Sequence, residues 1–201
     1  MSAVKDLLLA TNNPKKIKEM REILGSEYGG RILAAADFPE IPEPEETGAT
    51  FGENARIKAD FYAKHTGLIS LADDSGLIVD ALGGRPGVFS ARYAATEELR
   101  IEKLLAELAD VPDRDRTARF ACAICVAIPG NAYLERTGTL EGRIGRERRG
   151  NHGFGYDPVF LVGTESRTLA EFSPEEKNLI SHRGVAMKKI KADLLIALTQ
   201  G

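Results

Sequence analysis

The sequence predicts a mixed α/β fold, and three observations carry that prediction. Short apolar runs of strand length alternate with amphipathic segments of helical period along the chain. One pair of runs, Thr117–Ile128 and Ala132–Gly138, flanks Pro129-Gly130-Asn131 as a hairpin, which adds an antiparallel pair to an otherwise alternating pattern. No internal repeat, low-complexity tract or linker divides the 201 residues, a length that suits one sizeable domain over 1–201, with room for two lobes.

The elements follow in order. Leu7-Leu8-Leu9-Ala10 reads as a strand that breaks at Thr11-Asn12-Asn13. Pro14 suits the first position of a helix with Asn13 as its cap, Ile17, Met20 and Leu24 as its apolar stripe and Gly25 at its end. Residues 31–36 form a second short strand, and the proline- and glutamate-rich stretch 37–49 an acidic loop. Thr50-x-x-Glu53 is a capping box that opens a helix through about Lys64. Two apolar runs then flank Asp73-Asp74, which is expected to close the first of them, and the glycine-rich loop 83–87 follows. Thr96-Glu97-Glu98 starts a helix that carries Leu99, Lys103, Leu104 and Leu108. After the hairpin, the basic, glycine-rich stretch 142–155 leads to a strand over Pro158–Val162. Ser173 caps a short helix, and Ser181 caps the last one, with Val185, Ile190, Leu194 and Leu198 as its buried stripe.

Composition narrows the function classes. A hydrophobic content of 43% with 28% charged residues is that of an ordinary globular protein. The formal charge of −3 argues against a nucleic-acid-binding surface, which needs a basic excess. No run is long enough for a signal peptide or a membrane span, so a cytoplasmic protein with no membrane partner is expected. Cys122 and Cys125 lie three apart in an apolar strand and therefore point to opposite faces, which makes them core residues rather than a redox pair or zinc knuckle. The three histidines show no zinc-ligand spacing.

Four stretches carry chemistry. Asp73-Asp74-Ser75-Gly76 sets two carboxylates between apolar runs, where they need a cation, a hydrogen-bond network or water; a hard cation such as Mg²⁺ carrying substrate phosphates suits them. A solvent-facing turn accounts for them equally well. Thr11-Asn12-Asn13-Pro14-Lys15-Lys16 lies at a strand-to-helix junction, a ready site for phosphate. Lysines there oppose the helix dipole, so an anion is expected nearby. With Glu45, Glu46 and Glu53 added, acids from separate segments face these lysines and supply the parts that phosphoryl chemistry needs. In Gly153-Phe154-Gly155-Tyr156-Asp157-Pro158, glycines around two aromatics allow a ring to stack on a base. Lys177 with Ser181-His182-Arg183-Gly184 offers donors to a base carbonyl. Neither a Walker phosphate loop nor a G-x-G-x-x-G after a strand is present.

Seven segments in order resemble the inosine triphosphate pyrophosphatase family, the dITP/XTP pyrophosphatases. They are Thr11-x-Asn13-x-x-Lys16-x-x-Glu19, Glu45-Glu46-Thr47-Gly48, Phe51-x-Glu53-Asn54-Ala55, Ala72-Asp73-Asp74-Ser75-Gly76, the run from Pro86 to Tyr93, the run from Gly153 to Pro158, and Ser181-His182-Arg183-Gly184. The resemblance implies an elongated mixed sheet flanked by helices, with two lobes around a central nucleotide cleft, usually as a homodimer. It implies Mg²⁺-dependent hydrolysis of ITP, dITP and XTP to the monophosphate and pyrophosphate. It further implies Asp74 as general base with Asp73 in support, Glu45 and Asp74 on Mg²⁺ with help from Glu46, and Lys16 with Thr11, Asn12, Asn13, Pro14 and Lys15 around the phosphates. Ser75 is implied in the substrate site as well. Phe154 stacks on the purine, Gly155, Tyr156 and Asp157 complete its pocket, and Lys177, His182 and Arg183 donate to its keto oxygens. The alternatives are a Maf-like nucleotide pyrophosphatase acting on other triphosphates and a nucleotide-binding module without turnover.

Overall fold

The computed structural model describes residues 4–25, 28–130 and 132–199. Six strands form one sheet: β1 (Leu7–Leu9), β2 (Ile32–Ala34), β3 (Ile69–Val79), β4 (Thr117–Ile128), β5 (Ala132–Ile144) and β6 (Phe160–Val162), in the order β2-β1-β3-β4-β5-β6. The helices are α1 (Pro14–Leu24), α2 (Phe51–Thr66), α3 (Glu97–Glu107), α4 (Pro174–Ile180) and α5 (His182–Thr199). β1 runs parallel to both β2 and β3, with Leu8 opposite Leu33 and Ser70, while β5 and β6 are antiparallel. The mixed α/β sheet is therefore as expected. The chain divides into two compact units, one of residues 1–74, 122–138 and 184–201, the other of residues 75–121 and 139–183.

In the first unit the alternation of strand side chains builds two cores. Leu7, Leu9, Ile69, Leu71, Cys122, Ile124 and Val126 pack with Met20 and Leu24 of α1 and with Met187, Ile190, Leu194 and Leu198 of α5. Leu8, Ala10, Ala72, Ala123, Cys125 and Ala127 pack with Ala55, Ala59, Tyr62 and Ala63 of α2. The two cysteines fall into different cores, as the spacing requires.

The second unit has a core of its own. Leu77 and Val79 meet Ile101, Leu104 and Leu108 of α3, together with Phe120, Ile144, Tyr156, Val159 and Phe160. Arg116 is buried in the same unit and donates to the carbonyls of Ile144 (2.8 Å), Gly145 (2.7 Å) and Leu108.

The helix ends follow the sequence. Asn13 accepts from the N–H groups of Lys15 and Lys16, Thr50 and Glu53 form the capping box of α2, and Ser173 and Glu176 that of α4. Other expectations are corrected. Asp73 and Asp74 do not close a strand, because β3 runs straight through them. The second strand is three residues long and turns into a 3₁₀ segment at Ala35. β5 continues to Ile144 where a loop was expected from Gly142, since Gly142–Ile144 pair with Phe160–Val162. β6 starts only at Phe160, after a 3₁₀ turn over Asp157–Val159. Leu99 is 47% exposed, and Ile101 takes the buried position on α3. On α5, Ala186 and Met187 are buried, and Val185 is only half-buried. Asn131 of the hairpin turn and Met1-Ser2-Ala3 at the N-terminus lie outside the described residues.

Candidate active site

Asp73 and Asp74 lie mid-strand, so they leave β3 on opposite faces. Asp73, 1% exposed, turns to α1, where the Lys16 ammonium stands 3.1 Å away. The anion that first-turn lysines called for is thus, in part, the protein's own. Asp74 turns to α2. Asn54, fully buried, donates to its Oδ2 at 3.1 Å, and Lys58 lies 3.4 Å from its Oδ1. The same Lys58 ammonium holds Glu46 at 2.7 Å. Asn54 is fixed in turn, because its Oδ1 accepts from the Gly48 N–H at 2.8 Å. A Cβ at Gly48 would stand 2.7 Å from that oxygen, so only glycine lets the loop approach so closely.

The electrostatics single out Asp74. Burial pushes its carboxyl up, Lys58 and Lys16 pull it down, Glu46 raises it, and the balance is a shift upward from its ordinary value. Burial alone would depress Lys58, but Asp74, Asp73 and Glu46 outweigh it and hold the ammonium firmly charged. Among the expected neighbours, Asn12 donates to Glu43 at 2.5 Å, Thr11 accepts from the Asn13 N–H at 3.2 Å, and Pro14 and Lys15 are exposed. Glu45 is exposed, and Glu46 is the glutamate of that pair that joins Lys58.

The second unit gathers another group. Asp157, 3% exposed, accepts from the Phe154 N–H at 2.8 Å and from Lys177, 4% exposed, at 2.7 Å. Lys177 lies 4.6 Å and the Arg183 guanidinium 5.7 Å from the centre of the Phe154 ring. Arg183, 1% exposed, donates to the Ser75 hydroxyl at 2.9 Å. His182 is buried with its ring stacked on Phe120 at 4.8 Å. Gly155 donates to Glu97 at 3.1 Å. Tyr156 belongs to the core, its hydroxyl donating to the Ser90 carbonyl at 3.0 Å, so its ring supports the loop from beneath.

The family model described as the Ham1 family matches residues 7–193. The chain belongs to the Ham1 family. A dITP/XTP pyrophosphatase of Bacillus licheniformis is 50% identical over 192 residues, which cover 94% of this chain and 97% of that protein. One of Bacillus subtilis is 49% identical over 194 residues, with the same coverage. The solved structure of a HAM1 protein from Coxiella burnetii has a TM-score of 0.85 at 47% identity, covering 94% of this chain and 98% of its own. The Staphylococcus aureus Ham1 protein reaches 0.84 at 39%, with the same coverage.

In this Ham1-family chain, Lys58 is the site residue that motif reading missed. Its signal was present in helical spacing: Asn54 and Lys58 stand four apart on α2 and share one face. That face is otherwise lined by Ala55 and Ala59, and polar groups at such positions need a buried partner.

Proposed function

We propose that this chain hydrolyses non-standard purine nucleoside triphosphates (dITP, XTP and ITP) to the monophosphate and pyrophosphate. The observation that carries the reading is Asp74, a buried carboxyl held by Asn54 and Lys58, whose burial raises its proton affinity above the ordinary value. Its occurrence in a chain half-identical to dITP/XTP pyrophosphatases supports the substrate class. In this reading Asp74 takes the proton of the water that attacks the α-phosphorus. Asp73 keeps Lys16 in place, and Lys16 with residues 11–15 holds phosphate oxygens.

The donor set fits Mg²⁺. Glu46 and Asp74 already share one cation, the Lys58 ammonium. The two carboxylates come from separate segments, and Mg²⁺ is usually bound through one or two carboxylates together with waters and phosphate oxygens. Asp74 with Glu45 or Glu46 would hold the ion, which when bound neutralises phosphate charge.

Phe154 stacks on the purine, and Lys177, His182 and Arg183 present donors to a 6-keto oxygen. An adenine amino group would leave those donors unpaired, a costly mismatch in a buried site. We read residues 1–201 as one catalytic domain, working as a homodimer in the cytoplasm on small-molecule substrates, with neither nucleic acid nor membrane as partner. The charge of −3 supports the former exclusion, and no helix among the described residues is long and apolar enough to cross a membrane.

Pyrophosphate release with Mg²⁺ across a triphosphate panel tests the proposal. The expected result is a kcat/KM for dITP, XTP and ITP at least about a hundredfold above that for dATP. A preference for dTTP or UTP would favour a Maf-like activity, and binding without turnover a sensor module.

A further inference from the structure

We infer that Glu97 is a positioning residue for purine recognition, its carboxylate setting the direction of the Phe154 ring. The inference rests on the reading of Phe154 as the base-stacking residue. Phe154 lies between Gly153 and Gly155, both at positive φ (+76° and +63°), so the segment on either side of the ring is made of the least restrained residue type. Two peptide planes flank Phe154, and together they fix its φ and ψ. The plane before it carries the Phe154 N–H, which donates to Asp157 Oδ2 at 2.8 Å. The plane after it carries the Gly155 N–H, which donates to Glu97 Oε2 at 3.1 Å. One carboxylate therefore pins each side of the ring's backbone.

The first of these is local, and the second reaches the loop from 58 residues away. Glu97 is well suited to it. It is the first residue of α3, where the partial positive charge of the helix end favours a carboxylate, and Thr96 already caps the helix by accepting from the Leu99 N–H at 3.2 Å. The Glu97 carboxylate is thus not needed as the cap. A charged acceptor on a backbone N–H makes one of the stronger classes of hydrogen bond. The Tyr156 hydroxyl on the Ser90 carbonyl anchors the far end of the loop in the core, and in the Phe154–Gly155 plane the Phe154 carbonyl accepts from the Asp157 N–H at 3.3 Å, a longer and uncharged bond beside which Glu97 supplies the charged acceptor from outside the loop.

The test is steady-state kinetics with dITP and dATP on the full-length protein and its Glu97→Ala, Glu97→Gln and Phe154→Ala variants. Glu97→Ala is expected to raise KM for dITP about tenfold, to leave kcat within about twofold and to narrow the dITP-over-dATP ratio, because part of the stacking contribution is lost. Glu97→Gln keeps an acceptor oxygen and is expected to recover most of that loss. An unmoved KM in Glu97→Ala, or a lower kcat with KM and ratio unchanged, overturns the inference, the latter being the mark of a merely structural role. An unmoved KM and ratio in Phe154→Ala overturns it through its premise, and that failure is read without reference to Glu97.

Discussion

Asp73 and Asp74 are neighbours on β3 that face opposite ways, Asp73 to Lys16 of α1 at 3.1 Å and Asp74 to Lys58 of α2 at 3.4 Å. Two chemically identical neighbours therefore sit in different surroundings. Asp73 is almost fully covered and paired with Lys16, whereas Asp74 shares Lys58 with Glu46 and receives Asn54 as well.

Lys58 is the cation that keeps Glu46 and Asp74 together. Lys58→Met leaves two carboxylates in a half-buried site without it, and is expected to cost about 2 kcal/mol of stability, below the range for fully buried pairs. The double variant Lys58→Met/Glu46→Gln should recover a good part of the loss. Urea denaturation of the four proteins in the cycle measures both quantities, and a Lys58→Met protein as stable as wild type would remove the ion pair from the account.

Burial pushes the Cys125 thiol up to about 12 from an ordinary 9.0, with the Glu135 charge adding to it. The folded state holds that proton more tightly than the unfolded chain. Its contribution to stability is therefore whole below pH 9 and is lost as the pH rises from 9 toward 12. Both cysteines are buried, so Ellman's reagent at pH 8 should find no thiol in the native protein and two in denaturant. Rapid native labelling would contradict the core placement.

A side chain at Gly153 would drive into the Asp157 carboxylate, in a backbone conformation that other residues rarely adopt. Gly153→Ala is expected to cost about 1–3 kcal/mol, visible as a lower Tm. It should also raise KM for dITP, because Asp157 holds both Phe154 and Lys177. An unchanged Tm and KM would mean that the loop yields without loss.

Arg183 is buried, donates to Ser75 and lies beside the Phe154 ring. Arg183→Ala should lower the dITP-over-dATP ratio of kcat/KM at least about tenfold. A ratio is independent of the active fraction, so partial misfolding does not blur the result. An unchanged ratio would take Arg183 out of base reading.

Much of this was legible in the sequence because it rests on local rules. The capping residues Asn13, Thr50 and Ser173 marked their helices, and the alternation of a strand separated Cys122 from Cys125. What escaped depends on contacts between distant segments. Two adjacent acids looked like the end of a strand, since unpaired charge is excluded from a sheet's interior; Lys16, Asn54 and Lys58 make the interior position tolerable, and none of them is near in sequence. The bond from the Tyr156 hydroxyl to the Ser90 carbonyl, 66 residues away, likewise has no local signature.

The most direct measurement is dITP turnover by Asp74→Asn protein. Asparagine keeps the size of the side chain and an oxygen for Asn54, but it cannot accept the proton of the attacking water. The expected result is a kcat about a thousandfold lower with a melting temperature near that of wild type. Turnover close to wild type in a folded Asp74→Asn protein would contradict it.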